Sequence, residues 1–148
     1  MPHFFLMDED QLSVEDAALQ RSRLHISSVK ILLDHGKFIH AIATAYDAIE
    51  NAMKWYTLTQ YKLEIENLPS EPLEIFEIIK DREDYDQFDF EGLQKLMLES
   101  IDADEEPELT VEQFWQDMTS FLEFLEVMPF DLEVNPEDDP RTRGVLGI

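Results

Sequence analysis

Between residues 37 and 63, Phe38, Ile42, Ala45, Ile49, Ala52 and Tyr56 recur at alternating steps of four and three. Only an α-helix turns that spacing into one continuous apolar face; a strand would scatter the same side chains over both of its sides. Such a stripe needs a partner helix, and one lies directly upstream. The stretch from Val14 to His35 contains neither Pro nor Gly, Ser13 and Asp16 have the spacing of a capping box at its start, and Gly36 supplies a stop at its end. A joint this short sets consecutive helices antiparallel, so the front of the chain reads as a helical hairpin.

The rest continues in shorter helices. After Leu68-Pro69, Ser70 can cap a helix carrying Leu73, Phe76 and Ile79, and Arg82 to Asp89 reads as a charged connection. Asp89 can cap a segment with Phe90, Leu93, Leu96, Met97 and Ile101, whose first turn Gly92 weakens, and the acidic loop Asp102 to Glu108 follows. Thr110 and Gln113 form a second capping box ahead of Val111, Phe114, Trp115, Met118, Phe121, Leu122 and Leu125, an apolar face that runs up to Pro129. Asn135-Pro136, Asp139-Pro140 and Gly144 then interrupt every periodic pattern. The expected architecture is all-α, an up-and-down bundle of four to five helices over residues 1–128 with an irregular or flexible tail over 129–148.

Composition narrows the function classes. The chain has no cysteine, which excludes disulfides, thiolate zinc sites, iron–sulfur clusters and cysteine nucleophiles. It shows no basic, apolar leader and no run of about 18 apolar residues, so the expectation is a cytoplasmic protein with no membrane partner. The net charge of −23 is unevenly placed: residues 1–62 hold 8 acids and 6 bases, and residues 63–139 hold 26 acids and 3 bases. A surface of that sign repels phosphates, so no nucleic-acid partner is expected; basic proteins, cations or a second copy of the chain remain.

No catalytic, metal-binding or cofactor-binding residues emerge from the motifs. His3, His25, His35 and His40 form none of the Glu-x-x-His or His-x-x-x-His pairs that place two ligands on one helical face, and His40 with Asp47, two turns apart, is the nearest approach to a ligand pair. The loop Asp102-Ala103-Asp104-Glu105-Glu106-Pro107 begins like a calcium loop, then has Pro107 at the sixth position and Gln113 at the twelfth, where a glycine turn and a bidentate carboxylate are needed. Glu50 and Lys54 are spaced as an ordinary surface pair. With 4 glycines there is no phosphate-cradling loop, and no serine sits in a nucleophile elbow, so no cofactor is expected. Phe114, Trp115 and Phe121 lie among Glu112, Asp117, Glu123 and Glu126, which makes them core residues and not a base-stacking platform. Ala41, Ala45, Ala48 and Ala52 put small side chains on one side of the second helix. Close packing inside the chain and a homodimer seam both use such a row, and these four are the candidate interface.

The run Ile31-Leu32-Leu33-Asp34-His35-Gly36-Lys37-Phe38, followed by Ala45-Tyr46-Asp47-Ala48-Ile49-Glu50-Asn51-Ala52-Met53-Lys54, resembles the first helical hairpin of the HEPN superfamily, over roughly residues 17–58. The resemblance implies a four- or five-helix up-and-down bundle, often a homodimer. Ribonucleases of that family carry an Arg followed four to six residues later by a His. Here Arg21 precedes His25 by three intervening residues but on the wrong helix for that motif, and the C-terminal half has no His. The resemblance therefore implies the non-catalytic branch, dimeric partners of nucleotidyltransferases or interaction modules. Two further readings come from charge alone: an acidic nucleic-acid mimic that inhibits a basic DNA- or RNA-binding protein, and a carboxylate-based divalent-metal protein.

Overall fold

Ser13 opens the first helix as its spacing predicts. Its Oγ accepts the Asp16 amide at 3.2 Å, satisfying one of the four amides that a helix start leaves without an intrahelical partner. From there α1 runs Val14–Asp34. It ends in a Schellman turn: the Gly36 amide donates to the Leu33 carbonyl at 3.1 Å and the Lys37 amide to Leu32 at 2.9 Å, with Gly36 at φ 69°. No atom crowds the place where a Cβ at Gly36 would sit, so glycine is used there for its backbone. Other residues reach that region at a cost of about 1–2 kcal/mol. The computed structural model describes residues 12–130; His3 and the expected tail from 131 onward lie outside the described residues.

The second helix, α2, spans Phe38–Gln60 and is the centre of the molecule. It packs along α1 as an antiparallel hairpin and carries α3 (Pro72–Glu83), α4 (Phe90–Ser100) and α5 (Val111–Phe124) on its other sides; a 3₁₀ turn, Ile65–Asn67, links α2 to α3. The described residues contain no strand, and the fold is an all-α bundle. Of the stripe that defined α2, Ile42, Ala45, Ile49 and Ala52 are fully buried, Tyr56 is buried and Phe38 packs against the core from its edge.

Ala41, Ala45, Ala48 and Ala52 are all fully buried within one chain. Small residues let the helices approach closely enough for Ser22 Oγ to donate to the Ala48 carbonyl across the hairpin at 2.7 Å. Thr44 is also fully buried, and its Oγ1 finds no hydrogen-bond partner among the described residues. A buried hydroxyl left unmatched costs about 1–3 kcal/mol, so Thr44→Val, which keeps the shape and removes the hydroxyl, is expected to stabilise the protein by about 1 kcal/mol. A rise in the urea midpoint checks this, and a fall of similar size would show that the hydroxyl is matched.

The shorter helices depart from expectation at their ends. Glu71, not Ser70, holds the cap position of α3, with Pro72 in the first turn, and α3 continues to Glu83. Proline is suited to that place because its missing amide would have had no partner there anyway. Thr110 caps α5 by position without a side-chain bond; Gln113 Nε2 instead donates to Asp117 Oδ1 at 2.7 Å. Asp89 caps α4 as expected, with Oδ1 accepting the Gly92 amide at 2.9 Å. Gly92 is there for space: a Cβ would run into that same Asp89 carboxylate.

The charged connection expected over 82–89 is exposed at Asp84, Asp86, Gln87 and Asp89, but it sends two rings into the core. Tyr85 is buried and stacks on Phe124 with ring centroids 4.1 Å apart, and Phe88 stacks on Phe121 at 4.7 Å and 4°. Phe121 is fully buried and also meets Phe76 edge-on at 5.7 Å. Behind α5 the chain folds back on α1. Arg23 Nε donates to the Val127 carbonyl at 3.1 Å and its guanidinium lies 5.5 Å from the Phe130 ring. Burial lowers the pKa of that guanidinium. Lys30 covers the Trp115 ring at 5.5 Å, a second cation–π clasp between α1 and α5.

Candidate functional site

α4 and α5 both rest on α2, yet they make little direct contact with each other. Between them lies a half-open groove of about 280 Å³. Ala45 and Ile49 of α2 form its floor, Leu93 and Leu96 one wall, Phe114 and Met118 the other, and Phe88 closes one end. Asp89, Gln87 and Asp117 supply its polar atoms, and no lysine or arginine lines it. Leu96 and Phe114 are only half-buried, so the walls are accessible. Small-molecule pockets usually enclose about 300–1,000 Å³. Just below that range and open along one side, the groove is better shaped for side chains of another protein than for an enclosed ligand.

Expectation and structure part here in two ways. Phe114 and Trp115, expected as core residues with Phe121, pack against the core but are only partly buried; Phe121 is fully buried, while Phe114 also forms a groove wall and Trp115 lies under Lys30. Of the four candidate interface alanines, Ala45 alone lines the groove, at its floor. The groove residues were missed because each segment carries an apolar face suited to core packing. What the periodicity does not reveal is that two such faces splay apart instead of meeting. A second, shallower depression shares Asp89 and Gly92 with the groove and continues along the other flank of α4, past Leu73 and Leu98. Leu98 and Ile101 are 61% and 58% exposed, so α4 is apolar on more sides than the bundle covers.

The acidic loop has a structural task. Lys37 occupies the start of α2 and offers no side-chain acceptor, and Glu106 Oε2 takes the Ile39 amide at 2.8 Å from 67 residues downstream. A carboxylate at a helix N-terminus answers both a vacant amide and the positive end of the helix dipole. Glu106→Ala is expected to cost about 0.5–1 kcal/mol and to speed exchange of the Ile39 amide, with Glu106→Gln, which keeps an acceptor oxygen, costing less. Equal losses in the two variants would remove the capping role.

The described histidines gather no site. His25 is buried on α1, His35 ends that helix with Nδ1 2.9 Å from the Ile31 carbonyl, and His40 is exposed at the start of α2. Among the described residues no three His, Asp or Glu side chains converge into a group that could hold a metal ion. Arg21 and His25 sit on α1, one turn apart. Glu50 and Lys54 pair at 3.5 Å on the surface, as their spacing predicts. No helix among the described residues is long and apolar enough to cross a membrane.

A second cluster lies where α3 ends against α2. Tyr56 and Tyr61 both donate to Glu83 Oε1, at 3.2 and 3.1 Å, and the Arg82 guanidinium covers the Tyr61 ring at 4.4 Å. Burial, followed by the neighbouring Glu83, raises the pKa of both phenols, which suits them to donate and not to act as bases near neutral pH. These bonds tie α3 to α2. Compared with known proteins, the chain matches no protein-family model, no curated protein and no solved structure.

Proposed function

We propose that this chain is a non-catalytic helical interaction module that acts by binding a partner protein with a basic contact surface. The observation that carries the reading is the coincidence of an accessible apolar groove, whose charged lining residues are Asp89 and Asp117, with the acidic half of the chain. Residues 96–130 hold ten acids, Glu99 to Glu126, and no base. Of those ten, Glu99 pairs with Lys95 at 4.0 Å. A field of that strength steers basic partners and rejects acidic ones, while the groove supplies the contact area that charge alone does not. The resemblance of residues 17–58 to non-catalytic HEPN-like proteins supports the same class and points to a nucleotidyltransferase as one partner.

The acidic-mimic reading makes the same partner choice without the groove, and the two separate by salt. Affinity capture from lysate of the source cells at low and high salt is the test. A module with an apolar anchor should retain basic partners at high salt, whereas pure mimicry should lose them steeply. Captured proteins without basic surfaces would overturn the proposal. Homodimerisation is the second reading, favoured by the exposed Leu98 and Ile101 on α4. Light scattering decides it, against a chain mass of 17.4 kDa.

A further inference from the structure

We propose that the α4–α5 groove receives an amphipathic helix of the partner, its apolar side chains between the half-buried Leu96 and Phe114 walls and its lysines or arginines along the rim. This rests on the reading of the chain as a module for basic proteins, and it names the site and the shape of what binds. The groove walls are helices of 11 and 14 residues, about 16 and 21 Å long, which match a guest helix of three to four turns. A helix laid in such a cleft anchors through residues at i, i+3, i+4 and i+7. Leu93, Leu96, Phe114 and Met118 give those anchors apolar walls.

Charge selects among occupants. The lining presents Asp89 and Asp117 and no cation. A second copy docking here through a symmetric interface would set this acidic rim against its own image, where like charges repel. A guest with basic flanks gains what a second copy loses. Gln113 holds Asp117 at 2.7 Å, and the α4 cap holds Asp89 through the Gly92 amide, so both carboxylates are positioned before any partner arrives.

The test uses the full chain and three fluorescein-labelled 14-residue helical peptides: one with leucines at i, i+3, i+4 and i+7 flanked by lysines, one with the lysines but no leucines, and one with the leucines flanked by glutamates. The leucine–lysine peptide is expected to bind at least tenfold more tightly than either comparator. Amide NMR shifts should concentrate at 93–97 and 114–118. Leu96→Glu, on a half-buried wall, should weaken binding at least tenfold. Asp117→Lys should weaken it severalfold and flatten its salt dependence, and Val14→Glu, at the exposed start of α1, should change nothing. Thermal unfolding of each variant separates a lost site from a lost fold, and the Asp117 variant carries the test if the Leu96 variant does not fold. If the lysine-only peptide binds as tightly and Leu96→Glu leaves binding intact, the groove is not the site, although the module reading survives. If neither lysine peptide binds, both proposals fall.

Discussion

Phe121→Ala is expected to remove a large part of the stability of the protein. Phe121 is fully buried and its ring meets those of Phe76, Tyr85, Phe88 and Phe124, at centroid distances between 4.7 and 6.4 Å. Truncating a buried phenylalanine costs about 3–5 kcal/mol, and the ring-to-ring geometry here places this one toward the upper end. Native domains hold about 5–15 kcal/mol in total. A fall in melting temperature on the order of 10–15 °C is therefore expected. Because Tyr85 and Phe88 lie in the α3–α4 connection, that connection should lose hydrogen-exchange protection before α1 and α2 do. Leu98→Ala, at an exposed position, should fall within about 0.5 kcal/mol of the parent. A loss below about 1 kcal/mol in Phe121→Ala would mean that the aromatic cluster does not organise the α3–α5 side of the bundle.

Above pH 10 the protein should lose stability steeply, with its tyrosines setting the slope. All 4 tyrosines, Tyr46, Tyr56, Tyr61 and Tyr85, have pKa values raised chiefly by burial; Glu50 adds at Tyr46, Glu83 at Tyr56 and Tyr61, and Asp86 at Tyr85. A raised phenol pKa means that the folded state keeps a proton which the unfolded chain releases near pH 10. The stability that this represents is complete below pH 10 and is lost as pH climbs toward the folded values. Urea midpoints measured from pH 8 to pH 12 should be flat and then fall, and phenolate absorbance should appear together with unfolding. Tyr61→Phe removes one titrating group while keeping a ring under Arg82, and should make the fall shallower. That comparison separates the phenols from the lysines, which lose charge in the same range. Phenolates forming near pH 10 in the folded protein, with no loss of stability, would count against this account.

The hairpin was legible because each of its signals is local. A period of alternating four and three, a serine cap and a glycine stop are all written in adjacent residues, and they correspond to Ile42–Tyr56, Ser13 and Gly36 as observed. The later boundaries were harder because their stops do not use glycine. α3 ends with Asp84 at φ 50° and α5 with Glu126 at φ 64°, left-handed positions that carry no compositional mark. At α5 the Val127 amide reaches Leu122 at 3.0 Å and the Glu126 amide reaches Glu123 at 3.0 Å, the same Schellman geometry that Gly36 forms after α1. The apolar face therefore continues to Leu125 and Val127 after the helix has stopped at Phe124. The groove was illegible for another reason: Phe114 and Leu96 have the periodicity of core residues, and whether two faces meet or diverge depends on how α2 seats them.

The bond from Glu106 to the Ile39 amide also bears on synthesis of the chain on the ribosome, which proceeds from the N-terminus. The hairpin residues emerge long before Glu106 does, so the first turn of α2 must wait for a carboxylate that the nascent chain has not yet reached. A series of chains arrested before and after residue 106 has cleared the tunnel should show the Ile39 amide exchanging severalfold faster in the shorter chains, a late closing step set by the order in which residues leave the tunnel.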